Sequence, residues 1–230
     1  LDEATEWARE SGDFPAEIEC LRSGVQMALD RGLQDEVPHR VQMAFRRCEE
    51  REQPAYGFYF YCAMADYYMF RGEQSKVHDF VEAAAELMTT HRLAGCLGAI
   101  AHKRGRVYED QGRLTEARLC YEQSLGAYLH YGNMRGQSVV LGCLANIHRV
   151  QGRYDEAQTH YEAALRIHTD WGNLFSAAMV QGNMGNLCKE LGDLKEAHRL
   201  YQESGVAFRE LGRVQHEAIS LGNEGELLIQ

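Results

Sequence analysis

The chain has 230 residues, 45% of them hydrophobic and 25% charged, with a formal net charge of −10 and a pI near 5.5. Acidic globular composition argues against a general nucleic-acid-binding surface, which needs basic charge. No apolar run approaches the roughly 20 residues of a membrane span.

The opening, LDEATEWARE, lacks the basic and apolar regions of a signal peptide. The chain does not begin with Met, and is expected to be a cytoplasmic segment of something longer. Its 7 cysteines are odd in number and form no C-x-x-C, which reads as reduced thiols. Only 3 prolines but 22 glycines suggest helices punctuated by glycine turns.

Glycine sets the organisation. GLQDEV, GEQSKV, GRLTEA, GRYDEA and GDLKEA begin at Gly32, Gly72, Gly112, Gly152 and Gly192, spaced 40 apart. A second register, half a period away, holds Gly12, Gly132, Gly172 and Gly212. Glycine just past a helix end accepts the left-handed conformation that stops the helix. The predicted helices in chain order are 1–11, 15–31, 34–52, 56–71, 74–91, 95–111, 114–131, 135–151, 154–171, 175–191, 194–211 and 215–229. Pro15 opens a helix, Pro38 lies in a first turn after Asp35, and Pro54 lies between helices. In 154–171, Tyr154, Ala157, Tyr161, Ala164, Leu165 and His168 recur on one helical face. Leu114, Ala117, Tyr121, Ser124 and Leu125 stand one period earlier, and Leu194, Ala197, Tyr201 and Ser204 one period later. No segment alternates as a strand would. The fold class is all-α.

CLANIHRVQGRYDEAQTHYEAAL (143–165), NMGNLCKELGDLKEAHRLYQES (183–204) and HKRGRVYEDQGRLTEARLCYEQSL (102–125) resemble the tetratricopeptide repeat. The 40-residue period and the wording QGNMGNLCKELG are similar to Pins-type polarity adaptors and kinesin light chains. The resemblance implies one domain over 1–230, a right-handed α-α superhelix of about six stacked helix-turn-helix units. Repeats are clear over 95–230 and degenerate over 15–91, where Val37 and Val77 replace the turn alanine and Val41 and Val81 the tyrosine.

In such repeats the first helix of each pair lines a groove. The resemblance places Tyr59, Cys62, Ala63, Asp66, Met69 and Phe70 there, then Ala99, His102, Lys103, Arg106, Glu109 and Asp110. Val139, Gly142, Cys143, Asn146, Arg149 and Val150 follow, then Met179, Gly182, Asn183, Asn186, Lys189 and Glu190. The last helix contributes Ile219, Gly222, Asn223, Glu226 and Ile229. Asn146, Asn183, Asn186 and Asn223 form a row whose amides could grip a peptide backbone. The alternative is a row of tolerated polar residues on a solvated face. Lys189, Arg149, Arg106, Lys103 and His102 would meet carboxylates. Gly185 gives close helix packing, and Gly182 gives room beside the ligand.

The expected function is a non-catalytic scaffold that binds a protein or peptide, an extended acidic segment, with no cofactor, no metal, no nucleic acid and no membrane. The alternative is a sensory or regulatory arm of a larger bacterial signalling or transcription-regulating protein, its groove used for intramolecular or self-association contacts. Homo-oligomerisation through the terminal helices is a further expectation. The run AYGFYFYCAMADYYMF (55–70) reads as core packing, or as an apolar pocket anchored by Tyr59, Met69 and Phe70. HKRGR (102–106) reads as a solvated face or an anion contact. The histidines show no metal-ligand spacing, and QGNMGN lies mid-helix with no preceding strand, so neither a zinc site nor a nucleotide loop is indicated.

Overall fold

The computed structural model describes residues 2–30 and 32–227. Among these, the chain forms twelve α-helices and no strand: α1 (Asp2–Glu10), α2 (Phe14–Asp30), α3 (Val37–Glu50), α4 (Gly57–Phe70), α5 (Gln74–Thr90), α6 (Leu97–Asp110), α7 (Leu114–His130), α8 (Met134–Val150), α9 (Tyr154–Asp170), α10 (Leu174–Glu190), α11 (Leu194–Glu210) and α12 (Val214–Leu227). Within the first unit α2 and α4, and within the second α8, α10 and α12, stand in first-helix position. The helices pack into two compact units that divide between Arg113 and Leu114. Within each, helix pairs stack in the manner of a tetratricopeptide solenoid. Ile229, assigned to the groove, lies outside the described residues.

The glycine registers do what their spacing predicts. Gly12, Gly32, Gly72, Gly112, Gly132, Gly152, Gly172, Gly192 and Gly212 all take positive φ. At Gly152 the turn closes with Gly152 N–H donating to Arg149 O and Arg153 N–H donating to His148 O, each at 2.9 Å. The second register continues through two residues that are not glycine: Glu52 (φ 52°) and Arg92 (φ 53°). Left-handed backbone costs an ordinary L-residue roughly 1–2 kcal/mol, so packing imposes the turn at both places.

The residue after each of these turns decides how the next helix starts. The carboxylate of Asp13 and the amides of Asn133 and Asn173 accept from the backbone N–H of Ala16, Gly136 and Ser176 at 3.1, 2.9 and 3.1 Å. Gln53 and Leu93 hold the same register position and make no such bond. There the chain enters through a 3-10 turn, Pro54–Tyr56 or Ala94–Cys96, and the α-helix begins three residues later. A third 3-10 turn, Gln34–Glu36, precedes α3. The expected helices over 34–52, 56–71 and 95–111 are therefore shorter than their predicted spans.

In the second unit the cores repeat. Ala117, Tyr121 and Ser124, then Ala157, Tyr161 and Ala164, then Ala197, Tyr201 and Ser204 are fully buried. Tyr161 and Tyr201 pack where the facing first helix carries a small residue. Tyr161 clusters with Ala145, and a Cβ on Gly185 would stand 2.6 Å from Cε1 of Tyr201. In the first unit Val37, Val41, Val77 and Val81 are equally buried, and aromatic residues take the space left by the missing tyrosines. Phe60, Met64 and Tyr67 pack with Val41, while Tyr68 and Phe80 pack against Val77 and Val81. The Tyr68 and Phe80 rings stack at 5.4 Å. This is the core role anticipated for the 55–70 run.

Candidate peptide-binding face

The first helices of the second unit, α8, α10 and α12, share a face. Arg149 of α8 pairs with Glu190 of α10, and Lys189 of α10 pairs with Glu226 of α12 at 2.6 Å. These contacts bring the C-terminal turns of successive first helices together. Val139, Met179 and Ile219 recur on these helices at 40-residue spacing and are all exposed, which gives the face an apolar row.

Asn146 and Asn186 are held from behind. The Tyr161 hydroxyl donates to Asn146 Oδ1 at 2.5 Å, and the Tyr201 hydroxyl donates to Asn186 Oδ1 at 2.8 Å. Burial pushes both phenols up to about 12, so each remains a donor at neutral pH. An amide oxygen only accepts, so the phenolic hydrogen goes to Asn146. With Oδ1 used, each asparagine turns its NH2 group away from the tyrosine. Asn183 and Asn223 are partly buried and make no side-chain hydrogen bond among the described residues. The glycine at 182 does not make room on this face: a Cβ there would lie 3.3 Å from Ser204 Oγ of α11, so it serves helix packing. The Ser204 hydroxyl itself donates to Ala178 O at 2.8 Å.

The basic residues expected to meet a ligand's carboxylates already face carboxylates of the chain. Lys103 pairs with Asp66, and Arg106 Nη1 lies 3.4 Å from the same Asp66 oxygen. The Lys103 side chain is only 11% exposed, which makes this pair part of the first unit's packing. His102 is held down at about 3, first by burial and then by the charges of Lys103 and Arg106, so it is a neutral imidazole and not an anion-binding cation. The Arg149–Glu190 and Lys189–Glu226 pairs are more open than the Lys103–Asp66 pair, and the Glu226 side chain is 64% exposed. Exposed pairs of this kind contribute about 0–1 kcal/mol, so a ligand's carboxylate can replace the glutamate. Arg149 Nε is buried with no hydrogen-bond partner among the described residues.

Tyr59, Met69 and Phe70 are not brought to one pocket. Tyr59 lines a cavity of about 130 Å³ between α2 and α4 with Arg22, Cys62, Ala63 and Asp66. Met69 packs against Ala65, Val77 and Val107, and Phe70 is exposed. The thiols near this face are packing groups. Burial pushes Cys62 up to about 12 and raises Cys188, and none of the seven cysteines forms a disulfide. Among the described residues no group of three His, Cys, Asp or Glu side chains could hold a metal ion. No helix among them is long and apolar enough to cross a membrane.

Two tetratricopeptide-repeat family models match the sequence, over residues 137–204 and 99–130. Together with the stacked helix pairs, these matches define a repeat scaffold. The chain carries tetratricopeptide repeats over these residues. Solved structures of similar fold include a signal-transduction ATPase of Pyrococcus horikoshii with a tetratricopeptide repeat sensor: 15% identity, 98% of this chain and 34% of that one, TM-score 0.73. A Rap protein complexed with competence and sporulation factor shares 16% identity over 91% of this chain and 72% of its own, with TM-score 0.62. Kinesin light chain-like repeats from Podospora anserina share 14% identity over 86% of this chain and 98% of their own, with TM-score 0.56. At these identities the likeness is one of fold. No curated protein matches the sequence. Tetratricopeptide arrays are generally non-catalytic scaffolds for protein interaction, and this chain shares that architecture.

Proposed function

We propose that the second unit binds an extended partner segment along the face of α8, α10 and α12. The observation that carries this reading is the pair of asparagines whose amide oxygens are tied to buried tyrosines. Their NH2 groups are thereby pre-set as donors for the carbonyls of a peptide backbone. Fixing them before binding removes part of the ordering cost of association. Val139, Met179 and Ile219 supply apolar contact beside them. An acidic segment is favoured because its carboxylates can take the places of Glu190 and Glu226 against Arg149 and Lys189. In the first unit Lys103 is too closed for that exchange and His102 is neutral, so these two hold the fold, whereas Arg106 is 41% exposed and stays a candidate ligand contact. The regulatory-arm alternative gains no separate support from the site.

The test is a calorimetric titration of the protein with acidic and basic peptides of equal length. Acidic peptides should bind more tightly, and Arg149→Glu with Lys189→Glu should weaken them about tenfold and flatten their salt dependence. Equal binding of both peptides, or no effect of the reversal, would remove the acidic reading.

A further inference from the structure

At the end of the second unit where second helices turn into the next first helix, successive repeats are closed differently. Phe175 of α10, Phe208 of α11 and His216 of α12 form a mutual cluster with ring centroids 5.0–5.7 Å apart. One repeat earlier the same three positions are Arg135, His168 and Ser176. No large ring fills that space, and a cavity of about 230 Å³ opens there, lined by Arg135, Ser138, Ile167, His168, Trp171 and Asn173. It is smaller than the roughly 300–1,000 Å³ of a typical small-molecule site, and suits a single side chain.

Its chemistry selects what enters. The Ile167 side chain and the Trp171 ring, the latter 63% exposed, offer apolar and aromatic walls. Ser138 is satisfied, donating to Arg135 O at 3.0 Å, and Asn173 Oδ1 is used by the Ser176 N–H. His168 is only 5% exposed, lines the cavity and has no hydrogen-bond partner among the described residues. Its ring nitrogens are not among the fully buried unpartnered atoms, so they open onto the cavity and can meet an occupant's hydroxyl. Arg135 is exposed at the rim and makes no ion pair among the described residues.

We infer that this cavity is a second docking site, separate from the first-helix face, that takes a tyrosine side chain of a partner protein followed closely by a carboxylate. The ring lies against Trp171 and Ile167, the phenolic hydroxyl meets the His168 imidazole, and the carboxylate meets the Arg135 guanidinium. Charge complementarity at the unpaired Arg135 selects an acidic neighbour.

Trp171 reports on the site directly. In a Trp7→Phe background it is the sole tryptophan. Its emission, excited where tyrosine does not absorb, is followed while acetyl-Gly-Tyr-Glu-Gly-amide is added. A saturable change is expected in about the millimolar range or tighter, as befits one anchored side chain. The phenylalanine peptide, which leaves His168 unpaired, should bind about fivefold more weakly. Arg135→Phe copies the residue that closes the next repeat, so it should keep the helical circular dichroism and abolish the response. Arg135→Gln removes only the charge and should weaken binding while leaving the cavity open. A wild-type protein with no saturable response, a response retained in Arg135→Phe, or equal binding of the phenylalanine peptide would overturn the assignment. So would emission that varies with protein concentration before peptide is added, since that would make a second copy of the chain the occupant.

Discussion

The two units solve one packing problem with different residues. The second keeps small and aromatic residues at fixed places, so Tyr161 and Tyr201 each fill the gap between paired helices. The first has valine at Val41 and Val81 in those places and fills the gap with rings from other positions. It also carries an internal ion pair: the Glu17 carboxylate, 2% exposed, accepts from Arg47 Nε and Nη2 at 2.6 and 3.0 Å. The comparison teaches that the 40-residue backbone period survives loss of its signature side chains. Glu52 and Arg92 show this most clearly, because they adopt a turn that glycine would adopt at lower cost. What the first unit loses is the tyrosine that positions an asparagine on the first-helix face.

The largest expected effect tests the ion pair peculiar to the first unit. Glu17→Ala leaves the Arg47 guanidinium, 21% exposed, with Glu50 as its remaining partner and should cost about 3 kcal/mol, read as faster amide exchange in α2 and α3. Replacing both partners by apolar residues should be close to neutral, and an equal loss in both variants would show that the pair itself is not the cause. Next, Gly185→Val drives side-chain atoms into the Tyr201 ring and should destabilise the second unit by about 2 kcal/mol, visible as a lower midpoint in urea. Unchanged stability would mean that the ring has room to move. A smaller gain is expected from making the first unit resemble the second. Arg92→Gly with Leu93→Asn restores the turn glycine and the helix cap, and should stabilise by about 1–2 kcal/mol. No gain in thermal midpoint would show that the 3-10 entry is not a cost.

The last prediction concerns direction alone. His148 and His160 meet at 5.1 Å between ring centroids, and burial lowers both. Arg153 and Arg118 add to the effect at His148, while Glu156 opposes it, and Glu122 and Glu156 oppose it at His160. A histidine lowered in the folded state favours the neutral form. Its stabilisation is complete above the unfolded value of about 6.5 and is lost as pH falls below it. The second unit should therefore soften in mild acid, and His160→Leu, the residue found at Leu200 one repeat later, should reduce that dependence. An unaltered pH profile in this variant would rule the pair out as the source.

The helices and their register were legible because glycine marks each turn at a fixed interval. Helix starts were less legible, since the 3-10 entries at Pro54 and Ala94 follow from a missing cap at Gln53 and Leu93. The asparagine row was visible as composition, but the Tyr161–Asn146 and Tyr201–Asn186 bonds join residues 15 apart on different helices. Helical periodicity within one segment does not show such a bond. The ion pairs had a signal that single-repeat reading misses: opposite charges about one period apart, 40 residues for Asp66 and Arg106 and 41 for Arg149 and Glu190. The cavity beside Trp171 appears only when Arg135 and His168 are compared with Phe175 and Phe208 in the folded stack.

The role of the tyrosine-held asparagines is tested most directly by Tyr161→Phe with Tyr201→Phe, which keeps both rings and removes only the hydroxyls. Calorimetric titration of this variant with the acidic peptide should show binding weakened by about tenfold, with helical content and the peptide's preference over its basic counterpart preserved. Affinity equal to that of the unaltered protein would mean that the asparagine amides are not set in advance by the tyrosines, and the proposed mode of recognition would fail.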